Sequence, residues 1–88
     1  MSYSVRLSDP AAKTLARTDK ATQRRILARL HELSENPYDP RISKPFVGMD
    51  GMRSSRIGAW RILYTVLLAE KVVYVVAIRP RGKAYRKD

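Results

Sequence analysis

The dipeptide Gly58–Ala59 constrains the fold more than any other part of the sequence. It interrupts the stretch RSSRIGAWRILY, residues 53–64, which otherwise has the composition of two adjoining strands. A type II′ turn needs a positive φ at its first central residue, which glycine adopts without strain. The stretch therefore predicts an antiparallel hairpin with a two-residue turn, whose register is fixed by the turn itself.

That register pairs Ile57 with Trp60 and Arg56 with Arg61. Directly opposed residues lie on the same face of a sheet, where two like charges are destabilising. An anionic ligand between the two guanidinium groups would offset the repulsion. Two solvated arginines that splay apart at an edge are an equally good explanation when the pair is taken alone. The hairpin is thus a candidate anion-binding site, and the rest of the chain must decide between the two explanations.

The net charge favours a polyanionic partner. The chain has 88 residues, enough for one small domain spanning 1–88, with 18 Lys+Arg against 8 Asp+Glu and a formal charge of +10. Residues 41–88 hold eleven basic and three acidic residues, a net +8, whereas residues 1–40 hold seven and five, a net +2. Nucleic acid is the first expectation, and an anionic membrane or an acidic protein the second. We expect the partner to meet the C-terminal half.

Several classes of site are disfavoured by what the sequence lacks. There is no cysteine, so neither disulfides nor thiolate metal sites can form. No pair of carboxylates falls near the hairpins, which argues against a magnesium site and against carboxylate acid/base hydrolysis. The sequence has neither an apolar signal core nor an apolar run of the roughly 20 residues that a membrane span requires. We expect a cytoplasmic protein with no metal, no cofactor and no membrane partner.

The first half of the chain predicts one strand and two helices. Tyr3 to Leu7 alternates apolar and polar residues, as a half-buried strand does. Asp9 and Pro10 suit the N-cap and first position of a short helix. Thr18 or Asp19 can cap a longer second helix, which Asn36–Pro37 should end. The second helix has one apolar stripe formed by Ile26, Leu30 and Leu33 and flanked by Leu27. The single histidine, His31, lies beside the stripe, where a structural or surface role is the better expectation.

The second half predicts three further strands. Residues 36–51 contain three prolines and two glycines and read as a connecting loop that delivers Lys44. The strands Met52–Ile57, Trp60–Leu68 and Val72–Arg79 follow, and Pro80 should stop the sheet. The fold class is α+β, in the order β-α-α-β-β-β: a small, mainly antiparallel four-stranded sheet with a helical hairpin packed on one face.

The register of the last hairpin decides where Arg79 points. With Ala69–Lys71 as a three-residue loop, Leu68 opposes Val72 and Arg61 opposes Arg79. A two-residue loop would turn Arg79 towards the helices, and burying an unpaired charge there is costly. We therefore expect Arg56, Arg61 and Arg79 in one row on the open face. The expected helix-facing residues are Trp60, Ile62, Tyr64, Val66, Val72, Tyr74, Val76 and Ile78.

This order of elements, with the segments RIGAWRILY, VVYVVAI and RPRGKAYR, resembles the RelE/ParE superfamily of toxins from bacterial and archaeal toxin–antitoxin systems. The resemblance covers nearly the whole chain, although its motifs are loose. It implies a toxin that is either a RelE-like endoribonuclease, which cuts mRNA in the ribosomal A site, or a ParE-like inhibitor of DNA gyrase. It also implies a cognate antitoxin.

The RelE-like members place their working residues on the strands around the first turn and at the end of the last strand. The resemblance assigns these roles to Arg56, Arg61, Arg79 or Arg81, and Tyr85. Two positions depart from the pattern. Ser54 stands where many relatives have a second basic residue, and Pro80 where many have a histidine. The general base is therefore left without a clear counterpart.

Chemistry assigns these residues different tasks. A planar guanidinium meets phosphate oxygens through two hydrogen bonds, but it is a poor proton acceptor. The acid and base must then come from Lys44, Lys83, Tyr85 or the surroundings of the substrate. Tyr85 could instead stack on an unpaired base, or simply anchor the tail. The remaining expected RNA contacts are Arg53, Lys83, Arg86 and Lys87, together with Lys44.

The sequence therefore predicts a ribosome-dependent endoribonuclease in which 2′-OH attack on the adjacent phosphate cleaves A-site mRNA. A gyrase inhibitor and a non-catalytic module that binds nucleic acid remain the alternatives. The expected partners are the ribosome and an acidic antitoxin with an amphipathic segment. We expect the free toxin to be monomeric and to form a higher assembly with its antitoxin.

Overall fold

The structure, a computed structural model, describes residues 2–80. Two helices pack on one face of a mixed five-stranded sheet whose strand order is β1-β5-β4-β3-β2. The elements are β1 (Ser4–Leu7), α1 (Asp9–Arg17), α2 (Lys20–Glu35), β2 (Lys44–Pro45), β3 (Met52–Ile57), β4 (Trp60–Leu67) and β5 (Val72–Pro80). The predicted α+β class, helical hairpin and mainly antiparallel pairing are confirmed, since only β1 and β5 run parallel.

The sheet has five strands rather than four because the long loop contributes one of its own. The two residues of β2 pair with the middle of β3, Lys44 opposite Ser54 and Pro45 opposite Arg53. No sequence pattern indicates this strand, since two residues are too few to show alternation. Pro45 fits there because β2 is an edge strand and a proline at an edge removes no interior hydrogen bond.

The first helix begins one residue earlier than predicted. Its N-cap is Ser8, whose hydroxyl accepts a hydrogen bond of 3.1 Å from the backbone N–H of Ala11. Asp9 is therefore the first helical residue and not the cap. A carboxylate is still favourable there, because the first turn of a helix carries partial positive charge.

The second helix begins and ends as predicted. Asp19 is its N-cap and accepts a 2.8 Å bond from the backbone N–H of Thr22. Hydrogen bonds from Thr22 lower the pKa of this carboxyl. The helix stops at Glu35, with Asn36 in an extended conformation as the C-cap before proline.

A single hydrophobic core lies between the helices and the sheet. Its buried members come from α1, α2, β4 and β5: Ala11, Ile26, Leu30, Leu33, Ile62, Tyr64, Val73, Val75 and Ile78. Leu27, which flanks the apolar stripe of α2, is 51% exposed and lies outside this core. In the described part of the chain, no helix is long and apolar enough to cross a membrane.

The last hairpin contains a β-bulge that the sequence did not predict. Next to the loop Leu67 opposes Val72, so the expected pairing of Leu68 with Val72 is wrong by one residue. Between Leu63 and Tyr64 the register shifts, which leaves Val76 as the extra residue of β5. Beyond the bulge the predicted pairing of Arg61 with Arg79 is confirmed.

The bulge also changes which side chains of β5 meet the helices. Val73 and Val75 belong to the core cluster beneath the helices, and not the predicted Val72, Tyr74 and Val76, although Val72 is itself buried. Since side chains alternate along a strand, a shift of one residue moves a whole set to the other face. The extra residue reverses this shift before Ile78, which lies in the core as predicted.

Ser8 holds the bulge at the point where β1 gives way to α1. Its backbone N–H donates to the carbonyl of Val75 at 2.9 Å, and its hydroxyl donates to the carbonyl of Val76 at 2.7 Å. The same hydroxyl also caps α1, as described above. One serine therefore links the helix start to the irregularity that sets the register of Arg79.

Candidate functional site

Three arginines lie side by side across the middle of the sheet. Arg56 on β3 is directly opposite Arg61 on β4, which is in turn directly opposite Arg79 on β5. The neighbouring residue Ile62 belongs to the core beneath the helices, so alternation directs the three arginines to the other face. We call Arg56, Arg61 and Arg79 the arginine row, and it is arranged as predicted.

The row is open at its ends and partly enclosed in the middle. Arg56 and Arg79 are exposed, whereas Arg61 is half-buried. The Arg61 guanidinium carbon is 6.0 Å from the centre of the Phe46 ring, within the range of a cation–π contact. Phe46 belongs to the loop that follows β2, so this loop forms one side of the site.

Lys44 adds a fourth cation at the edge of the sheet. It is opposite Ser54, and Ser54 is two residues from Arg56 along β3, so all three share the face of the row. Between β2 and β3 is a cleft of about 200 Å³. It is lined by Pro40, Arg41, Ile42, Ser43, Lys44, Ser54 and Arg56. The cleft therefore extends the positive face beyond the row.

Arg41, on the rim of this cleft, is held by the carboxylate of Asp39, two residues earlier in the chain. Its side chain makes two hydrogen bonds to Asp39, Nε to Oδ1 at 3.2 Å and Nη2 to Oδ2 at 2.9 Å. These bonds lower the pKa of Asp39. Part of the charge of Arg41 is thus neutralised, which leaves Lys44 and Arg56 as the stronger cations of the cleft.

Arg53, which the sequence grouped with the expected RNA contacts, lies on the opposite face of the sheet from the row. It is directly opposite the buried Tyr64. Its Nε donates to the Ser43 hydroxyl at 2.8 Å, and its guanidinium carbon is 5.1 Å from the centre of the Tyr38 ring. These contacts hold Arg53 against the loop before β2, where it supports the fold.

Tyr64 anchors the same loop from the core. Its hydroxyl donates to the carbonyl of Pro37 at 2.6 Å and is hydrogen-bonded to Ser43. Burial raises the pKa of this phenol, so it stays protonated and able to donate. The network of Tyr64, Ser43 and Arg53 fixes the loop immediately before Lys44.

Several predicted site residues lie outside the described residues: Arg81, Lys83, Tyr85, Arg86 and Lys87. His31 is described and lies on the outer surface of α2, 3.8 Å from the Glu35 carboxylate, with a side chain 75% exposed. This exposed position agrees with the structural or surface role expected for it. Within residues 2–80, no cluster of histidine, aspartate and glutamate side chains could hold a metal ion.

Two arginines of α2 reach the hairpin, and sequence reasoning gave them no role. Arg29 donates from Nη1 to the Ser55 hydroxyl at 2.9 Å and to the Arg56 carbonyl at 2.7 Å. The Arg25 guanidinium lies so close to Gly58 that a Cβ there would be 2.9 Å from Nη2. The i, i+4 spacing was a signal that both share a helix face. The spacing does not indicate which part of the sheet that face contacts, because this depends on how α2 packs.

Gly58 meets two demands at once. Its φ of +59° is the positive value that the predicted type II′ turn requires, and Ala59 has no positive φ. The Arg25 side chain occupies the space that a Cβ at position 58 would need. Glycine is therefore required for the turn and for the contact with α2.

The site is suited to binding phosphate, and it offers little for proton transfer. The row presents several N–H donors to one face, where bidentate contacts to phosphate oxygens can form. Lys44 can add a point charge at one end. In the described part of the chain, none of the residues on the row or lining the cleft is a carboxylate or a histidine. The described residues can therefore stabilise negative charge on a phosphate, whereas they offer little for proton transfer.

Comparisons with known proteins identify the family and the fold. The sequence model of the ParE toxin of type II toxin–antitoxin systems, parDE, matches residues 5–85. The chain is similar to the RelE–RelB complex from the archaeon Pyrococcus horikoshii OT3, with 26% identity, a TM-score of 0.80, and coverage of 94% of this chain and 99% of that chain.

Two further solved structures share the fold. The RelBE2 toxin–antitoxin complex from Mycobacterium tuberculosis has 24% identity and a TM-score of 0.79, with 92% of this chain and 100% of that chain covered. The isolated RelE toxin from E. coli has 18% identity and a TM-score of 0.80, with 98% and 88% covered. A comparison with curated proteins gave no match.

Proposed function

The chain belongs to the ParE toxin family of type II toxin–antitoxin systems, and from this premise we propose that it is an endoribonuclease that cleaves mRNA on the ribosome. The family membership makes it a toxin, but the superfamily contains both RNA-cleaving and gyrase-inhibiting members. The arginine row favours the first activity. It is a preformed set of phosphate-binding groups on an open face, which is what a scissile phosphodiester requires.

The row can stabilise the charge that develops during cleavage. When the ribose 2′-OH attacks the adjacent phosphate, negative charge grows on the phosphorane oxygens. Arg61 lies between two further arginines, so a phosphate over it can receive hydrogen bonds from more than one side. The mutual repulsion of the row would be relieved by the bound phosphate, and this favours binding most where the negative charge is largest.

Proton transfer needs a group other than arginine. In the described part of the site Lys44 is the candidate, since it shares the face of the row. Lys83 and Tyr85 are the candidates among the remaining residues. We propose that Arg61 and Arg79 or Arg81 bind the scissile phosphate, with Arg56 and Lys44 in support. Tyr85 would stack on a base or transfer a proton.

The ribosome would supply what the site lacks. An mRNA codon held in the A site is already oriented, and such positioning can be worth several kcal/mol of the barrier. Arginines that only stabilise charge can then suffice for cleavage. The proposal accordingly places the activity on ribosome-bound mRNA, with little cleavage of free RNA.

Inhibition of DNA gyrase is the second candidate, and the match to the ParE toxin model is the observation that favours it. In that case the row would be a protein-binding surface. The two activities are separated by one experiment with purified toxin. Programmed ribosomes are incubated with the toxin and the mRNA ends are mapped, while gyrase supercoiling is measured in parallel.

We expect new mRNA ends within the A-site codon and unchanged supercoiling. Inhibited supercoiling without new mRNA ends would overturn the proposal in favour of the gyrase inhibitor. Binding to programmed ribosomes without cleavage would identify a non-catalytic module instead.

The partner that we propose is an acidic antitoxin with an amphipathic segment. The +8 charge of residues 41–88 and the exposed arginines of the row would bind acidic side chains. The dissociation constant of this complex should rise with ionic strength and on charge reversal at Arg61 or Arg81. A complex that is indifferent to both changes would refute this mode of binding.

A further inference from the structure

Arg56 is the member of the arginine row that β3 contributes. It lies one residue before the last position of β3, beside the hairpin turn, and its side chain is exposed. Across the strand it meets the like charge of Arg61. A phosphate-binding row needs fixed geometry, whereas strand ends next to turns fray readily. Some other part of the molecule must therefore hold this end in place.

Hairpin geometry leaves the backbone of Arg56 without a strand partner. In a two-residue hairpin the pair that closes the turn, here Ile57 and Trp60, exchanges hydrogen bonds, and the next pair does not. The N–H and carbonyl of Arg56 thus point away from β4. On that side β2 pairs only as far along β3 as Ser54. The segment after Ser54 is consequently an exposed edge.

Arg29 of α2 covers this edge. Its Nη1 donates 2.7 Å to the Arg56 carbonyl and 2.9 Å to the hydroxyl of Ser55, which is 1% exposed. Its Nε donates 2.9 Å to Glu32 on the same helix. The Arg29 side chain is 16% exposed, so these bonds are partly shielded from water. Charge-assisted bonds to a carbonyl are among the stronger hydrogen bonds in proteins.

Arg25, one turn earlier, fixes the same hairpin at its turn. Its guanidinium packs over Gly58, where the lack of a side chain allows the close approach. Two arginines of one helix face thus hold the hairpin, one at the turn and one at the strand behind it. Both contacts come from the helix side, leaving the face of the row open to substrate.

We propose that Arg29 is a positioning residue for the arginine row: by binding the Arg56 carbonyl and Ser55, it fixes the direction in which the Arg56 side chain meets the substrate phosphate. The inference rests on the proposed cleavage of RNA, because Arg56 acts on phosphate in that function. Arg29 touches no substrate itself. It acts through the backbone of Arg56.

The alternative is that Arg29 only stabilises the sheet edge, and a double-mutant cycle separates the two roles. The variants are Arg29→Gln, Arg56→Ala and the pair together, with Arg29→Lys and Ser55→Ala as milder changes. Arg24→Gln is the matched control, because it removes one charge from an exposed position on the same helix. Each variant is melted thermally and then assayed for single-turnover cleavage of mRNA on programmed ribosomes over a range of ribosome concentrations.

We expect Arg29→Gln to lower the maximal cleavage rate by about tenfold, the effect of misplacing a group that contacts the reacting phosphate. The half-saturating ribosome concentration and the rate of Arg24→Gln should stay near the parental values. Arg29→Lys should recover part of the rate, since an ammonium can still reach one acceptor. In the Arg56→Ala background, Arg29→Gln should cost no further activity.

If Arg29→Gln lowers the cleavage rate equally in the parental and the Arg56→Ala backgrounds, the proposal is overturned and Arg29 is a structural residue only. A parental cleavage rate in Arg29→Gln would also overturn the proposal. If Arg29→Gln does not fold, the cycle is run with Ser55→Ala, which removes only one of the two hairpin acceptors. If the parental toxin cleaves nothing, the proposed function fails. The affinity of the same variants for a fluorescein-labelled single-stranded RNA is then measured instead of the cleavage rate. Additive losses of affinity in Arg29→Gln and Arg56→Ala would refute the positioning role independently.

Discussion

Replacing Arg61 by alanine should separate the stability of the fold from its activity. Arg61 is the central member of the row and has like charges directly opposite on both neighbouring strands, Arg56 and Arg79. Its removal takes away two unfavourable pairs together with the favourable contacts of Arg61, which include the cation–π contact with the Phe46 ring. The expected change in stability follows from the balance of these contributions.

Each opposed like-charge pair costs a fraction of a kcal/mol, up to about 1 kcal/mol, and the exposure of Arg56 and Arg79 keeps these costs at the low end. The contact with Phe46 is worth about 0.5–1 kcal/mol in the other direction. The net change in unfolding free energy should therefore lie within about 1 kcal/mol of zero. For a domain of this size that is a shift in melting temperature of about 4–8 °C at most.

Cleavage should respond far more strongly. Losing one preorganised electrostatic contact to the transition state costs about 10²-fold or more in rate, which corresponds to about 2.7 kcal/mol. Arg61→Lys should recover only part of the rate, because an ammonium cannot reproduce the two parallel hydrogen bonds of a guanidinium. The assay is a single-turnover cleavage rate at saturating ribosome complex, measured beside a thermal melt.

An Arg61→Ala variant that melts like the parent and cuts at the parental rate would refute the arginine-row mechanism. A variant that cuts slowly but unfolds well below the parental temperature would show that Arg61 also contributes substantially to the stability of the fold. Parental growth arrest with loss of supercoiling would favour gyrase as the target.

Three further changes test the fold beneath the site. Leu30→Ala should lower the unfolding free energy by about 2–4 kcal/mol because Leu30 is only 4% exposed; a parental melting temperature would show that Leu30 is not part of the core. Gly58→Ala should cost about 1–3 kcal/mol, since φ is +59° and the new Cβ would lie 2.9 Å from a guanidinium nitrogen of α2; urea unfolding at the parental midpoint would contradict this. Tyr64→Phe should cost about 1–3 kcal/mol by leaving the Pro37 carbonyl without its donor, whereas Tyr74→Phe on the same sheet is the control and should unfold like the parent.

The predictable parts of the fold were those set by neighbouring residues. The turn at Gly58–Ala59 fixed the pairing of Arg56 with Arg61 because a two-residue loop leaves one register. Asp19 and Asn36–Pro37 marked the ends of α2 through local backbone chemistry. The positions of Arg56 and Arg61 on one face followed directly from these local rules.

The parts that could not be predicted depend on residues far apart in the sequence. The bulge at Val76 is held by Ser8, 68 residues away, and no pattern within β5 indicates it. The pairing of Arg61 with Arg79 was nevertheless predicted, although from a loop of the wrong length. Arg53 was grouped with the expected RNA contacts, although the register of the Gly58–Ala59 turn already places it on the opposite face of β3 from Arg56.

The contacts of Arg29 were likewise invisible in the sequence. Helical spacing shows which residues share a face, but the partner of that face depends on the angle at which the helix crosses the sheet. The two acceptors of Arg29, at Ser55 and at the Arg56 carbonyl, lie 26 and 27 residues further along the chain. Only the assembled fold brings them together.

The bulge at Val76 divides the hairpin of β4 and β5 into two parts that pair in different registers. On its loop side Leu67 opposes Val72, and on its arginine side Arg61 opposes Arg79, with one residue of β5 left over between them. Because the bulge takes up this extra residue, the hairpin keeps both sets of partners although they belong to different registers. The spacing of the arginines is thus insulated from the length of the loop at residues 68–71, about 20 Å away along the strands. That loop is therefore the natural place to insert an affinity tag or a fluorescent label into the toxin without displacing the row.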